Sequence, residues 1–176
     1  LKFKSFDLIT YLALFNMREN IDSLLNLKTI HLDFSECPQL DEEDFEYLAK
    51  ILSGLTNLEK IFLNVSHHSA LNDDLFKLLI KSLKNLSSLT EISLNLTDCQ
   101  SLTEEVFTYL FDTLSQIPEL SHLSINASNC KNVSDSAIKM LNNCLMLLPE
   151  IVKVELHFEN CIEISDKAIT DLMHEI

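Results

Sequence analysis

The sequence repeats with a period of 31 residues from residue 27 to its end, without insertions. The repeat is clearest where LTEISLNLTDCQSL, starting at residue 89, returns as LSHLSINASNCKNV, starting at residue 120. A unit this short cannot bury a core alone, so such repeats stack and stabilise one another. The period therefore restricts the chain to an array of stacked units, one for each repeat.

Each repeat begins with apolar residues at alternate positions. In one repeat Ile61, Leu63 and Val65 alternate with Phe62 and polar residues. This period of two, in a segment rich in branched side chains, predicts a strand with one buried face. We expect the outward positions of all the strands to form one exposed surface. They are Thr29, His31, Asp33, Lys60, Phe62, Asn64, Glu91, Ser93, Asn95, His122, Ser124, Asn126, Lys153, Glu155 and His157.

A helix is predicted in the second half of each repeat. One position always holds a residue typical of a helix N-cap. These residues are Asp41, Asn72, Thr103, Ser134 and Ser165. Apolar residues then recur at spacings of three and four, which places them on one side of a helix. Carboxylates follow most caps, where the positive end of the helix dipole stabilises them, and this explains much of the net charge of -14.

The predicted organisation is one array of repeats. It has a partial repeat at 1–26, complete repeats at 27–57, 58–88, 89–119 and 120–150, and a partial repeat at 151–176. The 31-residue register, extended backwards, places Leu1 and Phe3 in the strand, Phe6 in the cysteine position and Thr10 at the cap. Because a solenoid needs covered ends, we expect an excerpt of a longer array, with flanking repeats or neighbouring subunits over the ends.

One position after the strand holds cysteine in four repeats and histidine in a fifth: Cys37, His68, Cys99, Cys130 and Cys161 align there. A metal or redox site is one interpretation, but no C-x-x-C or Cys/His zinc spacing occurs. Packing of small apolar side chains is the favoured interpretation. The six histidines are scattered over different positions, and the single glycine excludes a phosphate-binding loop. The sequence thus predicts no catalytic set, no metal site and no cofactor.

Composition limits the partners and the compartment. The acidic charge and the single arginine, Arg18, exclude nucleic acid as a partner, because that binding depends on basic residues. No apolar run is long enough for a membrane span. The odd number of cysteines favours free thiols and an intracellular, cytoplasmic location. The N-x-S/T motifs at Asn64, Asn95 and Asn126 would suit a glycosylated secreted protein, but the strand pattern itself generates them, and amides that hydrogen-bond along the stack are favoured.

These features resemble the leucine-rich repeat family, with its pattern L-x-x-L-x-L-x-x-N/C-x-L. In LTEISLNLTDC the cysteine comes two residues later than in that pattern, and the repeat exceeds the usual length of about 20 to 29 residues. The long repeats resemble the ribonuclease-inhibitor-like subclass, cysteine-containing repeats of F-box proteins and long protist repeats. The resemblance implies an α/β solenoid shaped as a horseshoe arc, with parallel strands on the concave face and helices on the convex face.

The resemblance also implies recognition of a protein. We expect a non-catalytic interaction scaffold that binds a protein partner through the concave strands and adjoining loops. The predicted contact residues are Lys60, Phe62, Asn64, Glu91, Asn95, His122, Asn126 and His157. Phe62 is either an aromatic anchor or covered by a flanking segment, and Met146 with Leu147 forms an apolar spot beyond a helix. The alternatives are an architectural subunit of a large assembly or a targeting part of an enzyme system: a ubiquitin-ligase adaptor, a GTPase-activating protein or a bacterial effector.

Overall fold

The computed structural model describes residues 2–3, 24–35, 37 and 40–175. Within them, six parallel strands form one sheet in sequence order; four helices separate the later strands, and a fifth follows the last strand. The strands are β1 (Lys2–Phe3), β2 (Thr29–Asp33), β3 (Lys60–Asn64), β4 (Glu91–Asn95), β5 (His122–Asn126) and β6 (Lys153–His157). The helices are α1 (Glu42–Gly54), α2 (Asp73–Leu83), α3 (Glu104–Leu114), α4 (Asp135–Met146) and α5 (Asp166–Glu175). This alternation confirms the predicted α/β solenoid.

The strand register follows the repeat. From β2 to β6 each residue pairs with the residue 31 positions later, so Leu32, Leu63 and Leu94 lie side by side. The prediction for the first strand was wrong in register: Phe3 pairs with Leu32, an interval of 32 − 3 = 29 residues, and not with Phe34. A shift of two residues keeps each side chain on the same face of a strand, so the alternation alone cannot reveal it. Leu1, Phe6 and Thr10 lie outside the described residues.

The helix starts are those predicted. Asp41, Asn72, Thr103 and Ser134 are the N-caps of α1 to α4, and their side chains accept hydrogen bonds from backbone N–H groups of the first turn. Ser165 precedes α5, where its hydroxyl oxygen accepts from the Ala168 N–H at 3.2 Å. Each helix therefore begins with side-chain partners for backbone donors that have no intrahelical acceptor.

First-turn carboxylates also connect neighbouring repeats. Asp135 accepts hydrogen bonds from the backbone N–H and the hydroxyl of Ser165, at 2.6 and 2.7 Å. Glu104 accepts from the Ser134 hydroxyl at 2.6 Å, and Asp73 accepts from Thr103 in the same way. These bonds lower the pKa of Glu104 and Asp135, because they favour the ionised carboxyl. The cap of one helix is thus held by the helix before it.

The cysteine position is buried between strands and helices, and all five cysteines are free thiols. The Sγ atoms of Cys99 and Cys130 donate to the carbonyl oxygens of Val65 and Leu96 in the previous repeat, at 3.2 and 3.1 Å. Burial raises the pKa of Cys99 to about 12 and that of Cys130 to about 11, which keeps both thiols protonated. The packing interpretation of this position is therefore confirmed.

Candidate functional site

The outward side of the strands forms a continuous polar surface, here called the strand face. It contains every residue that the alternation predicts to point outward, and all of them are half-buried or exposed. In β2 to β5 these positions alternate with buried residues, so the strand face and the core share the same backbone. The prediction of which strand positions face outward is confirmed.

The eight predicted contact residues lie on neighbouring strands. Lys60, Glu91 and His122 align across the sheet. The final outward position of each strand aligns Asn64, Asn95, Asn126 and His157. The fold therefore brings all eight to one surface, although their role in binding stays a prediction.

Phe62 is half-buried in the middle of β3 and stacks on His31 of β2. The ring centroids are 4.2 Å apart and the ring planes differ by 4°. On its other side the paired residue is Ser93, whose side chain is too small to cover an aromatic ring. A stacked pair of aromatic rings thus lies among polar residues. Sequence reasoning identified Phe62 but missed its stacking partner, because stacking depends on side-chain rotamers that the repeat pattern does not specify.

The charges on the strand face are paired and of both signs. Lys60 Nζ lies 2.6 Å from Glu91 Oε2, and Lys153 Nζ lies 2.8 Å from Glu155 Oε1. The hydrogen bond to Glu155 raises the pKa of Lys153, and the same contact lowers the pKa of Glu155. Exposed pairs of this kind contribute little stability, but they set which charges a partner meets.

The asparagine position ends each strand in a turn. The Oδ1 atoms of Asn64, Asn95 and Asn126 accept from the backbone N–H two residues later, at 3.0 to 3.1 Å. At Asn95 the Thr97 hydroxyl donates to the same oxygen at 2.7 Å, which explains why a hydroxyl residue follows two positions on. Along the stack, Asn64 Nδ2 donates to the carboxylate oxygen Asp33 Oδ1 at 3.0 Å. This bond joins an amide to a carboxylate, so bonds between neighbouring amides of this position stay a prediction.

The loops beside the strand face contain a second polar series, which sequence reasoning missed. His67, Asp98, Asn129 and Asn160 occupy equivalent positions and have left-handed backbone, with φ of 59° to 62°. Asn and Asp are the residues besides glycine that adopt this conformation most readily. His67 Nδ1 lies 3.2 Å from Asp98 Oδ2, and Asn160 Nδ2 donates to Asn129 Oδ1 at 2.8 Å. The sequence signal for this series was that His, Asp or Asn recurs one residue before the cysteine position.

In the described part of the chain, no three or more His, Cys, Asp or Glu side chains are arranged to hold a metal ion. The helices found there are all too short or too polar to span a bilayer.

Solved structures with the same fold are known. The chain matches leiomodin-1 actin-binding site 2 with a TM-score of 0.61 and 18% identity, over 93% of this chain and 87% of that chain. It matches the tropomodulin C-terminal domain of Caenorhabditis elegans with a TM-score of 0.62 and 15% identity, over 93% and 89%. A chain of the yeast Rad7 and Elc1 complex matches with a TM-score of 0.51 and 16% identity, over 94% of this chain and 46% of that chain.

No protein-family model matches the sequence, and no curated protein matches it significantly. The likeness to solved structures therefore concerns the fold, which is a solenoid of leucine-rich-repeat type. The subclass of long repeats stays a prediction.

Proposed function

We propose that this protein is a non-catalytic scaffold that binds a protein partner through the strand face and the loops beside it. The observation that carries the proposal is the Phe62–His31 stack, a half-buried aromatic pair surrounded by charged residues and amides. Aromatic residues enclosed by a polar rim are the usual energetic centre of a protein interface. Lys60, Glu91 and His122 on one side and Asn64, Asn95, Asn126 and His157 on the other form that rim.

The chemistry of the strand face supports a protein partner. It carries amides and charges of both signs, which suit the varied side chains and backbone groups of a polypeptide. The net charge of -14 disfavours a polyanion as the partner. Among the proteins that share the fold, the leiomodin-1 structure is of an actin-binding site, which supports a protein-binding role for a chain of this fold. An intracellular setting is part of the proposal, because none of the five cysteines forms a disulfide.

An affinity pull-down with quantitative mass spectrometry tests the proposal. The native chain is compared with Phe62→Ala, and with Lys139→Ala as a control, since Lys139 is an exposed residue of α4 on the opposite side of the repeats. We expect a specific set of proteins on the native chain and the control, and a loss of about tenfold or more on Phe62→Ala, as for an interface hot spot. Equal recovery on all three baits would contradict binding through the strand face.

A second candidate function is an architectural subunit of a large assembly. It is favoured by the apolar side chains exposed beyond α4, where Met146 and Leu147 are 69% and 65% exposed. Exposed apolar residues of this size mark surfaces that other proteins cover. Light scattering at increasing concentration tests it: growth beyond the monomer mass, reversed by Met146→Asp and Leu147→Asp, would favour this function over the first.

A further inference from the structure

The outer side of the helices contains a groove that the repeat pattern does not predict. It lies between α1 and α2 and encloses about 580 Å³. Its walls are two facing series of side chains with helical spacing. One series is Glu46, Ala49, Lys50 and Ser53 of α1, and the other is Leu78, Lys81 and Ser82 of α2, extended by Lys84 and Asn85. The groove is here called the helix groove.

A single position explains why the groove is open. Ala49 is equivalent to Ile80 in the next repeat and to Phe111 in the one after. Ile80 and Phe111 are 2% and 1% exposed, because they fill the space beside their helices. Alanine lacks the volume to do so, and the half-buried Leu78 lies in the floor. The helix groove is thus an apolar recess where the next two repeats have a large apolar side chain.

The rim of the helix groove is basic, although the chain as a whole is strongly acidic. Lys50, Lys81 and Lys84 are exposed at its edge. Among the described residues, lysine salt bridges involve Lys28, Lys60, Lys77 and Lys153, and none involves these three. The ammonium groups of Lys50 and Lys84 lie 5.7 and 5.3 Å from the rings of Tyr47 and Tyr109. Three lysines therefore line the apolar floor without a carboxylate paired to them, and the ammonium groups of Lys50 and Lys84 lie near tyrosines outside the groove.

We infer that the helix groove binds an acidic amphipathic helix of another protein, at a site separate from the strand face. Apolar side chains spaced three and four residues apart would fill the space beside Ala49 and Leu78, and flanking carboxylates would pair with the lysines. Glu46 lies among the groove residues of α1, one turn before Lys50. We therefore expect the carboxylates of the partner to lie beside Lys81 and Lys84. An anionic membrane is the less suitable occupant, because the recess is a groove between two helices, which fits a helix better than a planar lipid surface.

Fluorescence anisotropy tests this inference. The probe is a labelled amphipathic peptide with leucines spaced three and four residues apart and glutamates on both sides; its control has lysines in place of the glutamates. We expect the native chain to bind the acidic peptide at least about tenfold more tightly than the basic one. Affinity should fall with added salt, since exposed charges are screened. Equal or negligible binding of the two peptides by the native chain would overturn the inference.

Substitutions in the helix groove test whether the peptide binds there. Ala49→Ile introduces the side chain of the next repeat, and we expect it to weaken binding by about tenfold or more. A triple variant with Lys50→Glu, Lys81→Glu and Lys84→Glu should do the same without touching the core, so it decides the matter if Ala49→Ile disturbs folding. Glu46→Gln should leave the affinity unchanged or raise it. Phe62→Ala, on the strand face, should have no effect, which separates this site from the proposed function.

Two results would reject the assignment. One is native affinity in the triple lysine variant with its fold intact by circular dichroism, since the peptide would then bind elsewhere. The other is binding to phosphatidylserine vesicles that the same variants abolish, in the absence of peptide binding. That pattern would assign the helix groove to a lipid surface.

Discussion

The middle repeats and the last repeat follow one sequence pattern but differ in burial. Leu94 of β4 is 3% exposed, whereas Leu156, the equivalent residue of β6, is half-buried. The inward positions of β4 are all buried, and those of β6 are all partly exposed. A pattern of apolar residues thus specifies which side of a strand faces the core, but a neighbouring repeat on each side is needed to bury it.

The helices show the same contrast. Ile138 of α4 is 2% exposed, while Ile169, the equivalent residue of α5, is half-buried. Leu172, equivalent to the buried Leu141, stays buried at 4%. Met146 and Leu147, at the end of α4, are 69% and 65% exposed, so the apolar spot expected beyond this helix is present. That flanking repeats or neighbouring subunits cover the end face stays a prediction.

The largest expected effect comes from truncating the same leucine in the two regions. Leu94→Ala removes buried methyl groups and leaves a cavity, so we expect it to lower the free energy of unfolding by about 2 to 5 kcal/mol. Leu156→Ala should lower it by about 1 kcal/mol, because its side chain is already partly solvated. Urea denaturation followed by circular dichroism measures both. Equal losses would mean that the last repeat is as well packed as the middle ones.

The next largest effect on stability is expected from a buried histidine. His68 is 1% exposed, and neither of its ring nitrogens has a hydrogen-bond partner. Burial lowers the pKa of His68 from its ordinary value of 6.5. The folded protein then binds fewer protons than the unfolded one below pH 6.5, so stability contributed by neutral His68 is complete above that pH and is lost on acidification.

His68→Cys, which restores the residue of the other repeats, should flatten the dependence of stability on pH between neutral pH and about pH 5. Thermal denaturation across this range measures it. Cys161→His is the matched variant in the last repeat. Because Cys161 is more exposed than His68, at 6% against 1%, we expect the introduced histidine to change the pH dependence of stability less. An unchanged slope in His68→Cys would show that other groups cause the pH dependence.

The helix caps allow another comparison between the middle repeats and the last repeat. Asn72→Ala removes the side chain that accepts from the Leu75 N–H at 3.0 Å, and we expect a loss of about 1 kcal/mol. Ser165→Ala, at the equivalent position of the last repeat, should cost less, because the end of the array contributes less to cooperative unfolding. The measurement is again the urea midpoint. A larger loss for Ser165→Ala would reverse the expected order of the two regions.

The smallest effect concerns Asp135, which holds the cap of the last helix. Its hydrogen bonds to Ser165 lower its pKa below the ordinary value of 3.8. The stability that it contributes is therefore complete above pH 3.8 and is lost as the pH falls through the lower, folded-state pKa. Asp135→Asn should weaken this acid dependence, measured by thermal denaturation between neutral pH and about pH 3. Native acid dependence in the variant would exclude the Asp135–Ser165 contact as its source.

Much of the fold was predictable from the sequence because each structural element has its own period. Alternation gave the strand residues, cap residues gave the helix starts, and the 31-residue spacing gave the register from β2 to β6. The interval between β1 and β2 was not predictable, since alternation is unchanged by a shift of two residues.

The candidate site was predictable only as a set of outward positions. Phe62 was identified because it is aromatic, whereas its stacking on His31 depends on rotamers. The helix groove depends on Ala49 being smaller than Ile80 and Phe111, a difference that becomes visible only when the helices are packed. The carboxylates after the caps were explained by the helix dipole, but Asp135 also bonds to the next repeat.

Native-state hydrogen exchange measures most directly whether repeats stabilise one another. The backbone amides of β4 and β6 have equivalent positions and similar residues, so their exchange rates report the local cost of opening. We expect the β6 amides to exchange at least about tenfold faster than those of β4, a difference of about 1.4 kcal/mol. Equal protection of the two strands would contradict mutual stabilisation and show that each repeat is stable without a neighbour on both sides.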